Sequence, residues 1–243
     1  MPIDGRASRL AVLIDADNAS AKIAEGLFDE IAKIGEASVR RIYGDFSNAR
    51  SKAWIDVLSR YAIIPQQQFA TTTGKNASDI ALVIDAMDLL HSGRFGGFCL
   101  VSSDSDFTRL ASRIREQGVD VYGFGEHKTP ESFRQACRRF IYTENLSSVA
   151  PNVAHDTATK ARQAADRLIR KAIDQMDTDD GWVFLGALGN QLGKLQTDFD
   201  SRTYGFKKLS DLVEGSPTFE AKRDDAGHIH VRIRPINAGR NRK

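Results

Sequence analysis

The sequence predicts an α/β fold in which helices cover both faces of a parallel sheet, followed by a small α+β domain. Short apolar runs alternate with segments of helical periodicity over the first 148 residues, as in repeated β-α units. The runs are continuously apolar, which is typical of strands buried on both faces. Residues 149–163 are poor in large apolar side chains and predict a linker. The smaller domain is assigned to residues 164–236, and residues 237–243 form a basic tail.

Six strands and five helices are predicted in the first domain. The strands are placed at residues 10–14, 38–43, 62–67, 98–102, 119–124 and 140–142. The helices are placed at residues 21–34, 49–60 and 76–91, around residues 107–114, and after Pro130. The apolar face of the third helix is assigned to Ile80, Val83, Ile84, Met87 and Leu90. Asp85 and Asp88 of that helix are interpreted as ordinary solvated charges.

Composition excludes several classes of protein. Hydrophobic residues make up 41% and charged residues 27% of the 243 residues, a balance typical of globular proteins. The apolar runs are shorter than the roughly 20 residues of a membrane span, and residues 1–9 lack the apolar core of a signal peptide. Cys99 and Cys137 lie far apart and form no paired motif, as expected in a reducing compartment. We therefore expect a cytoplasmic protein with no membrane partner.

Charge is distributed unevenly along the chain. Residues 1–150 hold 18 basic and 19 acidic side chains, whereas residues 151–243 hold 16 basic and 13 acidic ones. A basic C-terminal part favours a nucleic-acid partner, although a solvated tail explains the charge equally well.

Acidic and polar side chains follow the predicted strands at the edge where parallel sheets place their ligands. Asp15 and Asn18 follow the first strand, and Asp104 and Asp106 follow the fourth. Asp79 lies in the first turn of the third helix, whose N-terminus returns to the same edge. Each aspartate alone is explained by a turn or a helix cap. Their convergence instead predicts a cation, because clustered carboxylates repel one another.

The donor set points to the kind of cation. Carboxylate and amide oxygens without neighbouring His or Cys suit Mg²⁺ or Mn²⁺ better than zinc. A divalent ion at such an edge activates water and neutralises charge on a phosphodiester. The predicted chemistry is therefore phosphoryl transfer to water.

Three sequence motifs resemble those of the NYN domain, a branch of the PIN-like ribonucleases. They are LIDADN at residues 13–18, KNASD at residues 75–79 and LVSSDSDF at residues 100–107. The resemblance implies that Asp15, Asp79 and Asp104 bind the metal and that Asn18 and Asp106 assist. It also implies that RNA, single-stranded or structured, is the substrate. The loops that carry Asn48 and Lys75 would then line the RNA groove.

The smaller domain resembles the OST-HTH, or LOTUS, module, a winged-helix-like RNA-binding domain. Its helices would lie at residues 168–173, 188–192 and 204–212, and its wing strands at residues 219–222 and 228–233. Arg202, Lys207 and Lys208 are the predicted phosphate contacts. Trp182 is interpreted as a packing residue, and His228 and His230 are too few ligands for a metal site.

Three functions remain open from the sequence. The first is a metal-dependent ribonuclease, with cleavage inside the RNA chain as the expected mode, whose C-terminal module recruits RNA. The second is a haloacid-dehalogenase-like phosphohydrolase, because Asp15 and Asp17 fit a nucleophile and acid/base pattern. The third is a non-catalytic RNA-binding adaptor. Self-association into a homo-oligomer stays open.

Overall fold

The computed structural model describes residues 8–47, 49–68, 76–146, 155–176, 178 and 180–235. The chain divides into two compact units, Met1–Val149 and Ala150–Lys243, each with its own hydrophobic core. Within the described residues, no helix is both long enough and apolar enough to cross a membrane.

The N-terminal unit alternates strands and helices as the sequence predicts. Its strands are β1 (Arg9–Asp15), β2 (Glu36–Gly44), β3 (Ile64–Gln67), β4 (Gly97–Val101), β5 (Asp120–Gly125) and β6 (Arg139–Tyr142). Its helices are α1 (Ala24–Ala32), α2 (Ala49–Leu58), α3 (Ala77–His91), α4 (Thr108–Glu116) and α5 (Glu131–Ala136), with short 3₁₀ turns at Ala21–Ile23, Ser105–Phe107 and Thr143–Leu146.

All six strands run parallel in one sheet of order β3-β2-β1-β4-β5-β6. The chain moves outward from β1 to β3, then returns to the other side of β1 and continues to β6. The switch in direction therefore lies between β1 and β4. Ligands of open α/β sheets bind at the carboxyl ends of the strands next to such a switch.

Side chains of β1 alternate between two cores because successive residues of a strand point to opposite faces. Ala11 and Leu13 belong to the core beneath α3, α4 and α5. Leu10, Val12 and Ile14 belong to the core beneath α1 and α2. The β1 residues from Leu10 to Asp15 are at most 1% exposed. The predicted parallel sheet with helices on both faces is confirmed.

The buried face of α3 differs from the predicted one. Leu82, Ala86, Leu89 and Leu90 are the buried residues of this helix. Ile80 and Ile84, which the periodicity assigns to the core, are 60% and 58% exposed. The helix carries apolar residues on two stripes, so periodicity alone could not decide which stripe faces the sheet.

The interpretation of Asp85 as a solvated charge is wrong. Its carboxylate accepts hydrogen bonds from the Arg41 guanidinium and the Tyr43 hydroxyl, both on β2. Burial raises the pKa of Tyr43, and the bond to Asp85 raises it further. Asp88 is exposed, as predicted.

The described residues of the C-terminal unit form three α-helices and an antiparallel sheet. Its elements are α6 (His155–Asp174), β7 (Val183–Phe184), α7 (Leu185–Leu195), a 3₁₀ turn at Ser201–Tyr204, α8 (Leu209–Glu214), β8 (Phe219–Arg223) and β9 (Ile229–Ile233). The strand order is β7-β9-β8, and both pairings are antiparallel. Ile169, Leu188, Leu212 and Val231 are among the residues of its core.

Two helix boundaries of this unit differ from the sequence prediction. The first helix begins at His155, inside the segment 149–163 predicted as a linker, and not at residue 168. The predicted helix at residues 204–212 is interrupted, because Gly205 has a φ of 84° and α8 begins only at Leu209. A positive φ suits glycine and ends a helical turn. Lys207 and Lys208 therefore precede α8 and are not part of it.

Candidate active site

Polar side chains gather at the carboxyl ends of β1 and β4, on the two sides of the switch in strand order. Asp15 is the last residue of β1, and its register partner on β2 is Tyr43. Ser102 is the first and Asp104 the third residue after β4. The parallel pairing of β1 with β4 brings these loops side by side.

Asp15 is 1% exposed and fixed by four hydrogen bonds. One oxygen accepts the backbone N–H groups of Asp17 and Asn18, at 3.0 and 3.3 Å. The other accepts the Asn18 side-chain amide at 2.8 Å and the Ser102 hydroxyl at 2.7 Å. Burial raises the pKa of Asp15, while the bonds from Ser102 and Asn18 oppose the rise. A carboxylate has about four acceptor positions, so the protein itself engages all of them.

Ser102 ties the two strand ends together, and its role was missed in the sequence. Its hydroxyl donates to Asp15 and accepts the backbone N–H of Asp104 at 3.0 Å. The sequence shows only a serine at a strand end, a common turn residue. The adjacency of β1 and β4, which gives the hydroxyl its two partners, is not visible in the sequence.

Asp104 and Asp106 form the β4 side of the site. The Asp104 side chain caps the 3₁₀ turn at Ser105–Phe107 by accepting the backbone N–H of Asp106 at 2.9 Å. Asp104 is partly buried and Asp106 is exposed. This hydrogen bond fixes the Asp104 carboxylate near the carboxyl end of β4.

Asp79 completes the cluster from the first turn of α3. Its neighbour Ser78 donates a hydrogen bond to the Asp17 carboxylate at 3.1 Å, which ties the helix start to the loop after β1. Burial is the largest cause that raises the pKa of Asp79, and the charges of Asp15, Asp104, Asp17 and Asp106 follow in that order; together they raise it to about 6. Five carboxylates thus share one electrostatic environment.

The chemistry of this donor set fits a hard divalent cation better than any neutral ligand. The negative charges of the neighbouring carboxylates contribute to the raised pKa of Asp79, after burial, as expected of like charges held close together. Among the described residues, no three Asp, Glu, His or Cys side chains are arranged so that they could hold a metal ion. Mg²⁺ keeps several waters and uses one or two carboxylates, so coordination partly through water remains compatible with the site. The metal-ligand roles of Asp15, Asp79 and Asp104 stay predictions.

Replacement of Asp79 by Asn tests the repulsion directly. A carboxyl whose pKa is raised in the folded state opposes folding above that pKa, so we expect Asp79→Asn to stabilise the metal-free protein at pH 7.5. The expected gain is about 1 kcal/mol, since solvent screens a half-buried charge. It should shrink as the pH falls from 7 to 4. Thermal melts in chelator measure the effect.

The matched control for this variant is Asp88→Asn, an exposed position on the same helix. Added Mg²⁺ or Mn²⁺ should stabilise the wild type by about 2.7 kcal/mol at a hundredfold excess over its dissociation constant, and Asp79→Asn by clearly less. A lower metal-free midpoint with an undiminished metal response would show that Asp79 serves only the helix start, where a negative charge favours the dipole.

The predicted RNA contacts fall into three groups. Asn48 and Lys75 lie outside the described residues. Lys207 and Lys208 are exposed, as phosphate contacts require. Arg202 already donates to both oxygens of Asp200 through its Nε atom, at 3.0 Å each. Contact of these residues with RNA therefore stays a prediction.

The sheet order and the acidic edge define an α/β domain of the PIN-like nuclease class, followed here by a small winged-helix-like domain. A family model described as the NYN domain matches residues 9–147, and the chain belongs to this family. A second model, described as the OST-HTH/LOTUS domain, matches residues 158–231. The chain thus joins a nuclease-type domain to an RNA-binding module.

No curated protein matches the sequence. Similar solved structures include a protein of unknown function from Vibrio parahaemolyticus, at 19% identity and a TM-score of 0.46, over 57% of this chain and 94% of that one. An uncharacterized protein from Nitrosomonas europaea has 33% identity and a TM-score of 0.29, over 40% of this chain and 98% of that one. The WlbA dehydrogenase of Bordetella pertussis has 17% identity and a TM-score of 0.33, over 72% of this chain and 41% of that one.

Proposed function

We propose that the protein is a cytoplasmic ribonuclease that requires Mg²⁺ or Mn²⁺ and cleaves within RNA chains, with the C-terminal unit recruiting the substrate. The observation that carries the proposal is the convergence of five carboxylates at the sheet's switch point in an NYN domain. Such a cluster is costly in a protein that only binds polyanionic RNA, because it repels phosphate. A divalent cation turns the same cluster into a phosphodiester site.

Each residue of the site has a distinct role in this proposal. Asp79 and Asp104 would present carboxylate oxygens to the ion, with water completing its coordination, while Asn18 and Asp106 assist. Asp15, whose acceptor positions the protein fills, would contribute its negative charge. When bound, the ion activates water and neutralises charge on the phosphodiester. Asp15 also acts through its hydrogen bonds. It fixes the Asn18 amide directly, and it fixes the backbone N–H of Asp104 through the Ser102 hydroxyl. The site is thereby preorganised without its substrate.

The geometry disfavours a covalent phosphatase of the haloacid-dehalogenase kind. Such an enzyme needs Asp15 as an accessible nucleophile. Here Asp15 is 1% exposed, and both of its oxygens accept hydrogen bonds. Turnover of a small phosphate ester would nevertheless separate the two functions, since only the phosphatase should support it.

Incubation with a pool of mixed RNA sequences tests the proposal. We expect new RNA ends inside the chains when Mg²⁺ or Mn²⁺ is present and none in chelator, with sequencing of the ends as the readout. RNA binding without metal-dependent ends would identify a non-catalytic adaptor instead. A product series that grows only from one terminus would refute the internal mode of cleavage.

A further inference from the structure

The outer face of the C-terminal sheet carries aromatic rings that the core does not use. Residues of the three strands alternate between the core and the outer side, and Val183, Phe219 and Val231 point into the core. The other side carries Phe184 and His230, which are register partners, and Lys222, the partner of His230 on β8. Trp182 and Arg232 complete this set, which we name the outer sheet face.

Phe184 is an exposed apolar ring of this face, with 46% of its surface accessible. The ring lies against Gly186, where a Cβ atom would be only 2.6 Å from the ring's Cε1 atom. The His228 ring meets Phe184 edge-on, with centroids 5.5 Å apart, and the His230 ring lies 6.0 Å away. An exposed ring held in place by its neighbours is prepared to stack with a flat partner.

Cations lie beside these rings. The Lys222 ammonium is 4.2 Å and the Arg232 guanidinium 4.6 Å from the centre of the Trp182 ring. Arg232 also donates to Glu220 at 2.7 Å, so this row is held rigidly across two strands. Trp182 was interpreted as a packing residue. It is partly exposed, and its ring contacts both of these cations. Lys222 is exposed, so its ammonium is accessible to an anion at the surface.

The charges around the face complement phosphate. Along β8, β9, the turn between them and the residue that follows, the cationic side chains are those of Lys222, Arg223, Arg232 and Arg234, and the acidic ones are those of Glu220, Asp224 and Asp225. Asp224 is engaged by His230 at 3.0 Å and by the backbone N–H of His228 at 2.8 Å. Single-stranded nucleic acids bind where aromatic platforms and cations occur side by side.

We propose that the outer sheet face binds single-stranded RNA, with a base stacked on Phe184 and a phosphate contacted by Lys222. This proposal rests on the proposed function in that RNA is the ligand, and it places the base contact on a surface other than the segment of Lys207 and Lys208. That segment offers exposed cations but no comparably exposed ring, because Phe206 is partly buried and covered by the Arg162 guanidinium, 4.8 Å from its ring centre. In this proposal the bases contact the sheet, and the segment before α8 contacts phosphate only.

Two substitutions of one residue separate stacking from mere apolar contact. The full-length protein is titrated into a fluorescently labelled single-stranded RNA of about 12 nucleotides and mixed sequence, with anisotropy as the readout. We expect Phe184→Tyr to bind within about twofold of wild type and Phe184→Leu to bind about 5- to 150-fold more weakly, the loss of one stacked base. Equal binding by Phe184→Leu and wild type would overturn the proposal.

Salt dependence identifies the phosphate contact. Titrations at about 50 and 200 mM salt should show that Lys222→Ala lowers the slope of log K against log salt by roughly 0.7, the value for one phosphate on a single strand. Phe184→Leu should leave that slope unchanged. The double variant Lys207→Ala/Lys208→Ala is the comparison, and a loss of affinity confined to it would place the RNA on the other surface and refute the proposal.

Chelator in every titration separates this inference from the proposed catalysis. Because no cleavage is expected without metal, affinity is measured independently of turnover. Phe184-dependent binding in a protein that never cleaves RNA would support the outer sheet face and refute the nuclease. Metal-dependent cleavage with binding that ignores Phe184 would do the reverse. Melting curves of each variant confirm that the C-terminal unit stays folded, as expected for an exposed side chain.

Discussion

Asp104→Asn is expected to lower RNA cleavage by several orders of magnitude while the protein keeps its fold. Asparagine preserves the shape of the side chain and can cap the 3₁₀ turn at Ser105–Phe107 in place of Asp104, since both residues are good caps. What it removes is one negative charge from the carboxylate cluster. A catalytic ion supplies several kcal/mol of transition-state stabilisation, and each 1.4 kcal/mol corresponds to about a factor of ten in rate.

Single-turnover cleavage at saturating protein measures this loss without contribution from RNA recruitment. The matched control is Asp88→Asn, which removes the same charge from an exposed position of the same unit. Cleavage by Asp104→Asn within about twofold of the control would show that Asp104 is only a cap. Unchanged melting curves for both variants exclude unfolding as the cause of any loss.

The positions of the acidic residues were predictable because they depend on the local sequence pattern of strands and helices. Asp15 and Asp104 each follow a continuously apolar strand, and the rule that parallel strands end at one edge brings them together. Asp79 follows from the direction of the helix in a β-α-β unit. The alternation of strands and helices needs no more than the apolar pattern, so the fold of the N-terminal unit followed from the sequence.

Contacts that depend on the register of distant segments were not predictable. The hydroxyl of Ser102 has its partners because β1 and β4 are neighbours, although 87 positions separate it from Asp15. The outer sheet face depends in the same way on the pairing of β7 with β9. The rotation of α3 about its own axis was also undetermined, because both of its stripes are apolar.

The orientation of α3 about its own axis places Asp85 beside Arg41 and Tyr43 of β2. We expect Asp85→Ala to lower the free energy of unfolding of the N-terminal unit by about 2–3 kcal/mol. The substitution leaves the Arg41 guanidinium and the buried Tyr43 hydroxyl without their shared partner. The Nε atom of Arg41 already lacks a hydrogen-bond partner, so the side chain has no second anchor at that atom. The loss lies below that of a fully buried pair because Asp85 and Arg41 are 20% and 29% exposed at their side chains.

Thermal unfolding of full-length protein should show a midpoint about 5–10 °C lower for Asp85→Ala. Asp88→Ala, at an exposed position about one turn after Asp85 in α3, should change stability by no more than about 0.5 kcal/mol. The double variant Asp85→Ala/Tyr43→Phe removes the stranded hydroxyl as well, so it should recover part of the loss relative to Asp85→Ala alone. This recovery separates a broken hydrogen-bond network from a simple loss of packing, which the second substitution could not repair. Equal midpoints for Asp85→Ala and Asp88→Ala would mean that the contacts of Asp85 with β2 contribute nothing to stability. The packing of α3 against the sheet would then depend on its buried apolar residues alone.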